Sequence, residues 1–163
     1  MPSDPLGKVK AYFSPGRDAL EVTVGFIDRT ARTLDVAIFS ITHPDIVAAL
    51  VRAHKRGVSG GDGGPIRVLT DKDQAAGAAQ MAAVKALADA GLAVRVDRES
   101  GYAHNKYAVS DARGRTPAAL CGSYNWSVRA TTRNRESLAR IRVKACVRQF
   151  ADDFGRIWAA SAP

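Results

Sequence analysis

The segment HNKYAVSD, residues 104–111, sets an imidazole and an ammonium two residues apart, His104 and Lys106, and closes on a carboxylate, Asp111. Eleven residues further on, GSYNWS adds a hydroxyl at Ser123 and a carboxamide at Asn125. A neutral imidazole can attack phosphorus or accept a proton, and an imidazolium can protonate a leaving oxygen. An ammonium held beside it balances phosphate charge. Hydroxyl and amide groups donate to non-bridging oxygens as charge builds in the transition state. Extended backbone puts alternate side chains on one face, so His104 is expected to share a face with Lys106, and Ser123 with Asn125. Asp111 has the opposite parity to His104 and is expected to hold a turn or orient a neighbour. Metal-dependent phosphodiesterases gather Asp and Glu around Mg²⁺. Residues 101–148 hold only Asp111 and Glu136 as acids, and the Lys106 ammonium would repel a cation. Neither a metal site nor a cofactor is expected.

The same segment carries the charge. The chain of 163 residues has a net charge of +8, and residues 101–148 hold ten basic side chains against those two acids, so the remainder sums to zero. A surface of this sign calls for a polyanion, nucleic acid first and anionic lipid second. Arginine outnumbers lysine, and its planar fork suits phosphate oxygens. Arg113, Arg115, Arg129, Arg133 and Arg135 are the candidate phosphate contacts.

The elements that must position these groups read as a single α/β domain over residues 1–163. Leu20, Val24, Ile27 and Ala31 share one face of a helix over about 17–31. LDVAIFSI is a buried strand. THPDIVAALVRAHKRG is a capped helix ending at Gly57, and SGGDGGP a flexible surface loop. IRVLTD is a strand, a helix runs through Met81, Val84 and Leu87, and LAVRVD is a third strand. This β-α-β-α-β run predicts a mixed, mostly parallel central sheet with helices on both faces, an α/β/α sandwich. Beyond it, HNKYAVSD and TPAALCGS form a hairpin, ESLARIRV a further strand, and CVRQFADDFGRIWAA an amphipathic helix with Phe150, Phe154, Ile157 and Trp158 inward. Trp126 is expected to pack or to line an interface, His54 to face solvent on its helix, and His43 to lie in a loop at the end of the first strand, within possible reach of substrate. Cys121 and Cys146 read as buried free thiols.

No stretch is long and apolar enough to span a bilayer, so no stable membrane association is expected. The opening MPSDPLGKVKAYFSPG lacks an apolar leader. The cytoplasm is the default compartment, with the periplasm or exterior open to a chain whose leader has been removed.

Taken together, H-x-K-x4-D and the following G-S-x-N resemble the signature of the phospholipase D superfamily, and the chain is similar to its small single-motif endonuclease branch. AYFSPG, ALVRAHKRGV, the His-Lys strand, GSYNWS, NRESL and the closing helix come in the order of that branch. SGGDGGP looks like an insertion, and the loop between Asp111 and Gly122 is longer than in compact members. The resemblance implies a covalent phosphohistidine on His104, phosphate binding by Lys106 and Asn125 with Ser123 as a further donor, and a carboxylate at Glu136 that orients the histidine. It implies metal-independent, sequence-nonspecific cleavage of DNA, or of RNA. It also implies a homodimer with one composite site on the two-fold axis, since a second imidazole is needed and this chain repeats the motif nowhere. Two other readings stand beside it: a lipid phosphodiesterase or phosphatidyl transferase using the same site, and a nucleic-acid-binding module with a vestigial one. A lipid enzyme is expected to carry an apolar docking loop near its site, and the loops SGGDGGP and DARGRTP are polar and small, which weighs against it.

Overall fold

A computed structural model describes residues 8–97 and 101–161. Seven strands form one sheet in the order β1-β7-β6-β5-β2-β3-β4. They are β1 (Val9–Ser14), β2 (Leu34–Ile38), β3 (Arg67–Asp71), β4 (Ala93–Asp97), β5 (Lys106–Ser110), β6 (Ala118–Gly122) and β7 (Glu136–Ile141). The helices are α1 (Asp18–Arg29), α2 (Pro44–Lys55), α3 (Lys72–Ala75), α4 (Ala78–Asp89), α5 (Val128–Thr132) and α6 (Lys144–Ala160).

The sheet is mixed, but it is not mostly parallel. β2, β3 and β4 pair in parallel, as their helical crossovers require, whereas β1–β7, β7–β6, β6–β5 and β5–β2 are antiparallel. A short turn between β5 and β6 can only return the chain antiparallel, so the second half of the sequence reverses the balance struck by the first. β1 is an edge strand whose exposed, irregular pattern carries little period-2 signal. α5 has five residues, too few for helical periodicity to register.

Side-chain alternation divides the core between two layers. Val36, Ile38, Val68, Ala108, Leu120 and Leu138 face α1, α2, α4 and α5, while Ala37, Leu69, Tyr107, Val109 and Ala119 face α6 through Val147, Phe154 and Trp158. In α4 the inward residues are Gln80, Ala83 and Leu87, and Met81 lies exposed. Trp126 is 1% exposed and sits inside the first layer.

The loop SGGDGGP is built rather than loose. Gly60 N donates to Gly64 O (2.8 Å), Gly61 N to Asp35 Oδ1 (3.1 Å), and Arg67 bridges Asp62 and the buried Asp35. Asp35 and Arg67 are the first paired residues of β2 and β3, so this loop closes the N-terminal end of the parallel strands.

Candidate active site

At the other end of those strands, His104, Lys106, Gly122, Ser123, Asn125, Glu136 and Ser137 line one open cleft. The topology brings them there: the cleft sits where β5 and β7 begin and where β2 and β6 end.

His104 lies just ahead of β5, not within it. Two backbone bonds hold this approach. The fully buried Asp71 accepts from Ala103 N (2.9 Å) while also capping α3, and Asn105 O accepts from Phe39 N (2.7 Å). The imidazole is exposed to the cleft and meets the Phe39 ring edge-on, with centroids 4.6 Å apart. Lys106, the first residue of β5, is 9% exposed. Its Nζ donates to His104 O (2.8 Å) and lies 4.9 Å from the centroid of the same Phe39 ring. Burial holds its pKa below the ordinary lysine value, and the Glu136 carboxylate partly offsets that. The ammonium is therefore desolvated, fixed and directed at the cleft, where an anion would restore its solvation.

GSYN works by alternation. Tyr124 and Trp126 point into the core, with Tyr124 Oη bonded to Thr131 Oγ1 (2.6 Å) and Trp126 N donating to Ser40 O (3.0 Å). Ser123 and Asn125 are thereby turned into the cleft. Ser123 Oγ accepts from Ser137 N (3.1 Å), leaving its own proton free to donate. Asn125 Oδ1 is buried and finds no partner among the described residues; it is an acceptor, so the atom that can meet a phosphate oxygen is the amide Nδ2. Gly122 is dictated by β7: a Cβ there would come within 3.0 Å of Leu138 Cα.

Glu136 lines the cleft, but its Oε1 accepts from Asn134 Nδ2 (3.0 Å), and no bond to His104 occurs among the described residues. Asp111 lies outside the cleft, at the far end of β5. Its carboxylate accepts from the backbone N–H groups of Ala31, Arg32 and Thr33 at 2.7–3.0 Å, and the residue adopts φ 49°. It ties the α1–β2 connection to the end of β5.

Other residues are redistributed. Arg129, Arg133 and Arg135 are exposed on the α5–β7 segment that leads into Glu136. Arg113 and Arg115 are exposed on the β5–β6 turn, at the opposite end of the sheet from His104. They do not flank the cleft. SGGDGGP and DARGRTP both lie at that remote end, so their polarity says nothing about docking at the cleft. His43 is buried and caps α2, its Nδ1 accepting from Asp45 N (3.2 Å) and its own N donating to Trp126 O (2.9 Å). Burial lowers its pKa, against a smaller opposing effect of Asp45. His54 is half-buried against Gly91, not solvent-facing. Both cysteines are free and half-buried. Phe39, Asp71 and Asn134 had no signature in the sequence, because each acts through contacts with residues far away in the chain.

Among known proteins, the family model described as "Cardiolipin synthase, PLD-like domain" matches residues 24–158. The chain belongs to the phospholipase D superfamily. Its relatives include mitochondrial cardiolipin hydrolase of Xenopus tropicalis, 35% identical over 130 residues covering 80% of this chain and 56% of that protein. The human mitochondrial cardiolipin hydrolase is 32% identical over 143 residues, 88% of this chain and 52% of that one. The chain thus spans about half the length of these curated relatives. Among solved structures, Nuc of Salmonella typhimurium, a phospholipase D family member, superposes with a TM-score of 0.85 at 26% identity, covering 94% of this chain and 95% of that one. NucT of Helicobacter pylori gives 0.81 at 18% identity and shares the fold, over 95% of this chain and 98% of that one.

Proposed function

We propose that this chain is a metal-independent nucleic-acid phosphodiesterase in which His104 attacks phosphorus. The observation that carries this reading is the convergence of an exposed imidazole, a desolvated ammonium, the Ser123 hydroxyl and the Asn125 amide on one open cleft. In the first step the neutral His104 imidazole forms a P–N bond as the P–O bond to the leaving group breaks. Lys106, Ser123 and Asn125 stabilise the charge on the non-bridging oxygens. A second imidazole protonates the leaving oxygen, then deprotonates the water that hydrolyses the phosphohistidine. Glu136 is one carboxylate on its own, which suits charge balance at Lys106 better than metal binding.

Nucleic acid is favoured by the exposed Arg129, Arg133 and Arg135 on the α5–β7 segment that leads into the cleft residue Glu136, an arrangement that can track a phosphate backbone. DNA and RNA both fit. The second imidazole has one source: His43 is committed to capping α2 and His54 packs against Gly91, so His104 of another copy completes the site in a two-fold dimer. Trp126, buried in the core, takes no part in that interface. The exposed Phe13 and Val128 are available to it.

A lipid phosphodiester is the second reading. Phe13, 62% exposed and paired with the cleft residue Ser137, and Tyr102, 67% exposed and two residues before His104, place aromatic rings at the rim where a bilayer would sit. The names of the cardiolipin hydrolase relatives point the same way.

The test is a substrate panel with EDTA present: duplex DNA, single-stranded DNA, RNA and cardiolipin-containing vesicles, each with wild type and His104→Asn. The expected result is EDTA-resistant nucleic-acid cleavage that falls at least about a thousandfold without His104. Turnover of vesicles alone would transfer the same chemistry to lipid. Near wild-type cleavage by His104→Asn would overturn the mechanism.

A further inference from the structure

A second cavity, of about 370 Å³, opens at the far end of the sheet from His104. Arg29 from the end of α1, Arg115 from the β5–β6 turn, Arg140 and Arg142 from the end of β7, and Lys144 from the first turn of α6 all line it. β5 itself separates it from the cleft: Lys106 begins the strand and Ser110 ends it, roughly 13 Å of extended chain. The cavity stands apart from the site already described, and what it binds does not depend on the reaction proposed there.

None of the five cations is paired with a carboxylate among the described residues, whereas Arg52 and Arg56 share Asp28 and Arg67 is bridged to Asp35 and Asp62. The Arg140 guanidinium lies 5.9 Å from the centroid of the Tyr12 ring. The one acid in the wall, Asp111, already accepts three backbone N–H groups and a bond from Ser110 Oγ. Five like charges around one concavity repel one another unless a counter-anion occupies it. Four of the five are guanidinium groups, whose forks match phosphate oxygens two at a time. They come from four separate elements and surround a volume instead of lying along a stripe. That shape suits a discrete, multiply charged anion better than a passing polymer. Small apolar walls at Phe26, Pro117 and Ala118 complete it.

We infer that this cavity is a binding site for a chain of two or three phosphates, carried by a nucleoside di- or triphosphate or present as free pyrophosphate or tripolyphosphate.

The experiment is calorimetric titration of the intact chain with sodium tripolyphosphate and, separately, with ATP. Wild type, Lys106→Gln, Arg115→Ala/Arg142→Ala and Arg29→Ala/Lys144→Ala are compared. Lys106→Gln weakens anion binding at the cleft, so it separates the two sites. The substituted arginines and Lys144 are exposed, and an unchanged melting temperature without anion reports that each variant folds. The expected result is tripolyphosphate binding of equal affinity in wild type and Lys106→Gln, weakened at least tenfold in both double variants. Tighter binding of ATP than of tripolyphosphate would assign the nucleoside form; the reverse would assign the inorganic one. Unchanged affinity in both double variants, or loss confined to Lys106→Gln, would overturn the site. A tenfold fall in affinity for a short DNA duplex in Arg115→Ala/Arg142→Ala would also overturn it, by placing the cavity on the nucleic-acid track.

Discussion

Gly122→Ala is the sharpest probe of how the fold holds the cleft. A Cβ at this position would lie 3.0 Å from Leu138 Cα and from the Ser137 carbonyl carbon, and closer still to the Ser137 oxygen. Carbon atoms prefer about 3.5–4.0 Å, so β6 and β7 must part by roughly half an ångström to one ångström. The neighbours are backbone and cannot rotate away. Overpacking of this kind costs about 1–3 kcal/mol. The parting also strains Ser123 N→Ser137 O (3.0 Å) and Ser137 N→Ser123 Oγ (3.1 Å), each worth about 0.5–1.5 kcal/mol. The lower entropy of an unfolded chain with Ala returns about 0.4–1 kcal/mol. The net loss is about 2–4 kcal/mol, a fall in melting temperature of roughly 5–15 °C for a chain of this size. Ser123 and Glu136 move with the strand ends, and misplacement on that scale costs about a hundredfold in rate. Thermal denaturation and kcat/KM on a bis-aryl phosphodiester measure the two effects. Gly155→Ala is the control: it lies in α6 with open space around it, and it should stabilise by about 1 kcal/mol. If Gly122→Ala melted within a degree of wild type and kept its activity, the close approach of β7 would not be what places Ser123.

The alkaline limb of kcat/KM should fall below the ordinary lysine range. Lys106 is a cation acid with a lowered pKa, and its charge is lost as pH rises through that value. Glu136→Gln removes the raising influence, so the limb should move to still lower pH in a pH–rate profile; a shift upward would contradict the assignment. Arg133→Ala/Arg135→Ala should flatten the slope of log K against log salt on duplex DNA by up to about 1.8, at about 0.9 per phosphate contact. Arg113→Ala, on the remote turn, should leave the slope unchanged. In subunit mixing at fixed wild-type concentration, exchange with His104→Asn chains should lower activity per wild-type chain in proportion to the wild-type fraction. Constant activity after proven exchange would refute a composite site.

Much of this was legible without coordinates because it depends on short-range rules. Apolar runs locate β2 and β3, which are buried on both faces, and period-3.6 patterns locate α2 and α6, which each bury one apolar face. Parity within GSYN predicts that Ser123 and Asn125 share a face, and the burial of Tyr124 and Trp126 supplies the mechanism. The hairpin reading of residues 104–123 also places Arg113 and Arg115, seven and nine residues beyond Lys106 and past the end of its strand, at the opposite end from His104. Total charge along a segment does not carry that information, because charge adds along the chain while position reverses at each turn.

Sequence alone singled out the residues that the fold gathers in one cleft: His104 and Lys106 by their spacing, and Ser123 and Asn125 that follow them. Tertiary structure decided what those groups face. Asp71 anchors the approach to His104 from 32 residues away, and Phe39 supplies the ring under both His104 and Lys106. Asn134, not His104, is the hydrogen-bond partner of Glu136. The five cations of the remote cavity are drawn together from α1, a turn, β7 and α6. Strand order and direction set such encounters, and these emerge only when the whole chain minimises its exposed apolar surface and unpaired backbone together.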